Sequence, residues 1–296
     1  MKKSVSLLLA GLMLCGALTG CGGNNSTAEN TDSQTAESTT GTSGAIHVVS
    51  REDGSGTRGA FVELTGVEDD NGDNTTVEAE IANRTDAVLT TVAGNEAAIG
   101  YVSLGSLNDP VKAVTVDGVE ATVDNVKSGD YTLSRPFNIA TKGEPTGVAA
   151  DFIGFIMSAD GQAIVGEDYI TVNDNAEAFT SDGSSGHITV GGSSSVSPVM
   201  EQLIEAYKAV NPNAQIDLQT SDSTSGMTGA MDGTFAIGMA SRELKDEEAA
   251  ELTGTAIALD GIAVIVNTAN TVDNLTMDQI RSIYVGETTD WADVAA

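Results

Sequence analysis

Between an apolar run, Ile46 to Val49, and a helix-spaced set, Ala60, Phe61 and Leu64, the chain carries Ser50-Arg51-Glu52-Asp53-Gly54-Ser55-Gly56-Thr57-Arg58-Gly59. The run is strand-length and Gly66 supplies a helix stop, so the stretch predicts strand, tight turn and helix in immediate succession. Gly54 and Gly56 read as the residues that let the backbone turn sharply. Ser55 and Thr57 place hydroxyls among the unpaired amides of a helix N-terminus, which is a ready anion site. Arg51 adds a guanidinium whose fork matches a tetrahedral oxyanion. The same residues would also furnish an ordinary βα turn.

The pattern recurs further along the chain. Ile188 to Val190 predicts a strand, followed by Gly191-Gly192-Ser193-Ser194-Ser195-Val196-Ser197-Pro198 and a helix with Met200, Leu203, Tyr207 and Val210 on one face. Ser197 suits the N-cap and Pro198 the first helical position. A third unit runs from the strand Gln215 to Gln219 into Thr224-Ser225-Gly226-Met227, which opens a short helix ending near Asp232-Gly233. A strand from Ala236 to Ala240 then ends in Ser241-Arg242-Glu243. Strand ends of this kind gather in one crevice at the carboxyl edge of an α/β sheet. Singly, each has a plainer explanation: Ser193 to Ser197 as a flexible turn, Arg242 as a surface partner of Glu243 and Asp246. Recurrence of anion donors in so acidic a chain favours a site.

The formal charge of -30 over 296 residues excludes nucleic acid as a partner, because a phosphate backbone would be repelled over most of the surface. It does not exclude a small buried anion, since salt screens the long-range field within about 8 Å. His47 and His187 stand far apart, no Gly-x-Ser-x-Gly elbow occurs, and no His or Cys cluster has metal-ligand spacing. No enzyme, metal or cofactor is therefore expected. At the N-terminus, Met1-Lys2-Lys3 and the mostly apolar Val5 to Leu18 read as a signal peptide over 1–20. Leu18-Thr19-Gly20-Cys21 resembles a bacterial lipobox, which implies lipidation at Cys21 and an extracytoplasmic protein touching the membrane through its lipid anchor only. The alternative is a plain secretory signal with an incidental cysteine. Residues 21–44, rich in Ser, Thr, Asn and Gly, read as a flexible tether.

Arg51-x-Asp53-Gly54-Ser55-Gly56-Thr57 resembles the phosphate-contact loop of the substrate-binding proteins of phosphate ABC transporters, in the periplasmic-binding-protein superfamily. Asn95-Glu96-Ala97-Ala98-Ile99-Gly100-Tyr101 also resembles a segment common there. The resemblance implies an α/β, two-lobe, type II fold with the ligand cleft between lobes, inorganic phosphate as ligand, ABC permease subunits as partners, and a monomer. By the same resemblance the phosphate-binding residues are Arg51, Ser55, Gly56 and Thr57 in the opening loop, Ser194 and Ser195 in the next turn, Thr224 or Ser225 in the third, and Ser241 and Arg242 in the fourth. Asp53 would orient Arg51, with a turn-forming role as the alternative. Many family members place Asp directly after Ala-Ser in the fourth turn, where it accepts the proton of bound phosphate. Arg242 stands there in this chain and can only donate. Either Asp53 or another acceptor senses the proton, or the site favours the dianion, or selectivity is looser. Other functions open to the fold are binding of another tetrahedral oxyanion, or a lipid-anchored surface sensor or adhesin.

In that family the Gly-Ser-Ser-Ser turn usually precedes the Arg-x-Asp-Gly-Ser-Gly-Thr loop, and here the order is reversed. Asp290 to Val294 resembles the piece that normally runs into Ile46 to Val49. This implies a circular permutation, with the old termini joined through Thr180 to Gly186. Ile257 to Asn267 resembles the first crossover and Arg135 to Thr141 the return. One lobe is then expected over 136–262 and the other over 45–135 with 263–296, so the C-terminal helix must dock beside the N-terminal strand. That helix shows a capping box, Thr276 to Gln279, apolar Ile280, Ile283 and Tyr284, and Gly286 as terminator. A rival is that 187–296 is a truncated second copy.

Overall fold

The computed structural model describes residues 42–294. The signal segment, Cys21 and nearly all of the tether lie outside the described residues. Among the described residues nine strands join in one sheet: β1 His47–Arg51, β2 Glu80–Ala82, β3 Ala98–Ser103, β4 Val111–Ala113, β5 Ser134–Thr141, β6 Gly186–Ser193, β7 Ala214–Ser221, β8 Ile237–Ala240 and β9 Thr253–Asn267. Their order is β7-β6-β8-β5-β9-β3-β1-β2, with β4 bonded to β9. β1 is parallel to β2 and β3, and β6 is parallel to β7 and β8. Parallel strands need crossover helices, and these bury the strands on both faces. Ala98–Ser103 is accordingly buried at every position.

The two halves of the sheet meet on one strand. β9 runs for 15 residues, about 50 Å of extended chain. From Thr253 to Gly261 it is antiparallel to β5, and from Ile262 to Val266 it is antiparallel to β3. Each half has its own main core. Around β3 lie Phe61, Tyr101, Tyr284 and Trp291, with Phe61 stacked on Tyr101 at 3.9 Å between ring centroids. Around β5 and β6 lie Phe137, Phe152, Phe155, Met200 and Tyr207. The reverse faces are covered by thinner apolar layers, Val49, Val88, Val92 and Ile265 on one half and Ala140, Met227 and Ala230 on the other. Truncating a ring such as Phe61 should cost about 3–5 kcal/mol, because a cavity would remain between packed strands.

The helices are α1 Gly56–Thr65, α2 Thr85–Gly94, α3 Val148–Ile156, α4 Ala159–Asp168, α5 Ser197–Val210, α6 Ser223–Asp232 and α7 Met277–Tyr284, with shorter turns between. α7 carries the expected capping box: Gln279 N donates to Thr276 Oγ1 at 3.2 Å and Thr276 N to Gln279 Oε1 at 2.8 Å. The C-terminal segment lies against the first strand. Ile46 N donates to Thr289 O at 2.9 Å, Trp291 N to Gly44 O at 3.0 Å, and the Trp291 indole to Ala97 O at 2.9 Å. The stretch Thr180 to Gly186, expected as a linker, is pinned at its start. The Asp151 carboxylate accepts from Ser181 Oγ at 2.6 Å, Asp182 N at 3.0 Å and Tyr207 OH at 2.6 Å. Burial alone would raise the Asp151 pKa, but these donors outweigh it and hold the carboxyl below its ordinary range.

Candidate functional site

Four strand-to-helix turns reach the seam between the halves: β1 into α1, β2 into α2, β6 into α5 and β7 into α6. Helix N-termini carry roughly half a positive charge, and acidic side chains normally collect there. In a chain with 43 acidic residues, α1, α5 and α6 have none in the first turn. At α1 and α5 amides are left for an anion from elsewhere, while at α6 the cap Asp222 already accepts from Ser225 N at 2.8 Å.

The side chains at these turns converge. Arg51 Nη2 donates to Ser194 Oγ at 3.1 Å and Nη1 to Thr85 Oγ1 at 3.3 Å. Thr57 Oγ1 lies 2.8 Å from Ser195 Oγ and 3.2 Å from Ser241 Oγ. Ser193 Oγ donates to Ser241 Oγ at 3.0 Å, and Ser241 N donates to Ser223 Oγ at 3.0 Å. Thr85 Oγ1 is within 3.3 Å of both Ser194 Oγ and Ser195 Oγ. All of these residues are buried. The outcome is one nest of hydroxyls with a guanidinium on its edge, drawn from residues far apart in sequence. Hydroxyls can donate or accept as a ligand requires, and the guanidinium can only donate.

Arg51 is held by Glu52, not by Asp53. Its Nε and Nη2 donate to the two Glu52 oxygens at 2.8 and 2.7 Å. Asp53 takes Nη1 of Arg58 at 2.9 Å instead and its side chain is 96% exposed. Arg58 also donates to the Arg51 carbonyl at 2.7 Å and to Asp73 at 2.7 Å, so it braces the loop from outside. The expectation that Asp53 orients Arg51 is therefore corrected: the strand ends at Arg51, Asp53 lies in the turn beyond it with its carboxylate on Arg58, and Glu52 grips the Arg51 guanidinium bidentately.

The glycines also have a different reason from the expected one. Neither Gly54 nor Gly56 has a positive φ. A Cβ on Gly54 would sit 2.3 Å from Asp222 Oδ1, and one on Gly56 would sit 2.4 Å from Ser223 Oγ. They are needed for close approach across the seam, which Thr224 N completes by donating to Gly54 O at 3.1 Å.

The other expected residues stand at the margin of the nest. Ser55 is the α1 N-cap, accepting from Arg58 N at 3.3 Å. Ser225 is bonded to Asp222, which caps α6. Thr224 Oγ1 accepts from Arg242 Nη2 at 3.3 Å. Arg242 turns away onto Glu248, with bonds of 2.7 and 2.8 Å. Burial alone would raise Glu248, but the Arg242 bonds and the Lys245 amide hold it below its ordinary range. Ser55, Arg58, Thr224, Arg242 and Lys245 line one opening of about 480 Å³, and Thr85, Gly105, Ser106, Ser194 and Ser197 line another of about 370 Å³. Ser197 is not the cap of α5: its Oγ donates to the Ser193 carbonyl at 3.2 Å, and Val196 holds the N-cap position with Ser197 the first helical residue.

Sequence reasoning missed Thr85, Ser193, Ser223 and Arg135. For Ser223 a signal existed, because Asp222 is a good N-cap and places Ser223 first in the helix. Thr85 and Ser193 had none beyond hydroxyl type. Arg135, on β5, was legible only as part of a return strand. Its Nη2 donates to Thr57 Oγ1 at 3.2 Å, and its Nη1 is bonded to the Asp260 carboxylate. Both side chains are buried, and burial pushes the Asp260 carboxyl up and the Arg135 guanidinium down.

An α/β sheet in two halves, with a polar nest where helix N-termini meet at the seam, is the architecture of a solute-binding protein. The chain belongs to the PBP (periplasmic-binding-protein) superfamily, whose domain description matches residues 25–160 and 177–296. Over 301 residues it is 46% identical to Phosphate-binding protein PstS 2 of Streptococcus agalactiae serotype V, covering 99% of this chain and 98% of that protein. It superposes with a TM-score of 0.69 on the crystal structure of a phosphate ABC transporter, phosphate-binding protein from Streptococcus pneumoniae TIGR4, at 46% identity over 85% of this chain and all of that one. To Phosphate-binding protein PstS of Bacillus subtilis it is 35% identical over 134 residues, 44% of this chain and 42% of that protein.

Proposed function

We propose that this protein captures inorganic phosphate outside the cytoplasm, anchored by a lipid on Cys21, and delivers it to the permease subunits of an ABC importer. The observation that carries the reading is the nest itself: Arg51, Thr57, Ser194, Ser195, Ser223 and Ser241 brought together from both halves of the sheet, in a chain alike over its full length to a phosphate-binding protein. Phosphate is held by dipoles and hydroxyls with Arg51 as the opposing charge, and the two lobes, 136–262 and 45–135 with 263–296, close over it. Closure requires only that the ligand bind the closed form more tightly than the open one.

The order of the lobes is that of a circular permutant. Its support is the docking of Thr289 to Trp291 on Gly44 and Ile46, together with the B. subtilis match over less than half of either chain. A relative whose halves stand in the other order aligns over only one of them at a time.

Both carboxylates that touch the guanidinia of the nest, Glu52 and Asp260, are spent on those guanidinia. The proton of the phosphate monoanion then meets hydroxyl acceptors, which can also turn to donate, so arsenate should compete strongly and sulfate should be rejected less sharply than by a carboxylate acceptor. Calorimetric titration of the tether-free mature protein with phosphate, then with each competitor, tests the reading. Absence of phosphate binding, with sulfate or another oxyanion bound tightly, would replace it.

A further inference from the structure

We propose that Arg135, clamped by Asp260, is a positioning residue of the anion site that turns the Thr57 hydroxyl into a fixed donor toward the bound ligand; this rests on the phosphate reading above. Arg135 has only donors, so Thr57 Oγ1 must accept the bond from its Nη2 at 3.2 Å. One lone pair of that hydroxyl is thereby occupied by a cation, and its own proton is driven to the far side. There Ser195 Oγ and Ser241 Oγ lie at 2.8 and 3.2 Å, on the face of the nest where an oxyanion would be held. A hydroxyl polarised in this way is a stronger donor than a free one.

The placement of Arg135 suits this role. It is paired in register with Asp260, on the two strands β5 and β9 that border the handover between the halves of the sheet. Nη1 is also bonded to the Gly261 carbonyl at 2.9 Å, so the guanidinium is tied to the floor of the seam. A structural role explains the pair less well. Buried ion pairs contribute little to stability against apolar residues of the same size. This one leaves Arg135 Nε and Asp260 Oδ1 buried without a partner.

The test is a cycle between the pair and Thr57, read by phosphate titration and thermal unfolding of the mature protein. The double variant Arg135→Met with Asp260→Leu is expected to fold with an unchanged midpoint and to bind phosphate about 10- to 100-fold more weakly. Thr57→Val should lose a similar factor and Thr57→Ser little. Adding Thr57→Val to the double variant should cost no more than about a further twofold, because both changes remove the same donor. Losses that multiply, or a double variant within about twofold of the parent, overturn the proposal. If the double variant does not fold, Arg135→Lys takes its place: lysine lacks the planar fork that presents one nitrogen to Asp260 and another to Thr57, so weakened binding is expected and unchanged binding overturns the proposal. A parent protein that ignores phosphate would sink the functional reading instead, and the parent titration separates the two failures.

Discussion

The two walls of the cleft are built on different physical plans. The wall that begins at β1 supplies charge: Arg51, backed by Glu52 two bonds deep, reaches the nest from the end of its strand. The opposite wall supplies mainly neutral groups, Ser193, Ser194, Ser195, Ser223 and Ser241, and the guanidinia on that side are already paired, Arg242 with Glu248 and Arg135 with Asp260. Charge on one side and dipoles on the other lets an anion be matched without two cations repelling each other across an empty gap. It also means the walls should fail differently when altered.

The largest effect should come from the charged wall. Arg51→Ala is expected to weaken phosphate binding at least about 100-fold, roughly 3 kcal/mol, while circular dichroism stays unchanged, because Glu52 is partly exposed and can be solvated. Affinity near that of the parent would erase the distinction between the walls. Next comes the seam: Gly56→Ala puts a methyl within 2.4 Å of Ser223 Oγ and should cost about 10- to 50-fold in affinity and lower the thermal midpoint, since overpacking against a buried neighbour outweighs alanine's better helix propensity. On the neutral wall, Ser223→Ala should cost about tenfold, one hydrogen bond to an anion. The smallest binding effect is expected from Arg242→Ala, within about threefold, with a stability loss of about 2–4 kcal/mol because Glu248 is left buried without its partner. The pH dependence follows the same logic. Glu248 has a lower pKa folded than its ordinary 4.5, so its contribution is full above that value and fades as pH falls through the folded value. Acid titration of stability should lose this component in Arg242→Ala, and a parent-like acid limb would show that Arg242 is not what holds Glu248.

The turns were legible in sequence because their signals are local. Gly54, Ser55, Gly56 and Thr57 announce a strand-to-helix turn, and Thr276 with Gln279 announces a capped helix, from residues within a few positions of one another. Partner choice was not legible. Asp53 and Glu52 are both acidic and both near Arg51 in sequence, and only the folded chain decides that Glu52 grips it while Asp53 reaches Arg58. Arg242 and Ser241 are adjacent, yet at the bend just past β8 one faces Glu248 and the other the nest. Ser193 and Thr85 carried no mark that separates a site hydroxyl from an ordinary one.

By itself the sequence determined the local grammar: which segments extend, which coil, where the chain bends, and that hydroxyls and amides accumulate at the bends. Those properties depend on short-range sterics and backbone hydrogen bonding. Which bends share a space, which of two neighbouring carboxylates grips a guanidinium, and why Gly56 must lack a side chain were decided only by tertiary structure. The reason is that contacts such as Thr57 to Ser241 and Arg135 to Asp260 join residues more than a hundred positions apart, through the crossing of a single long strand.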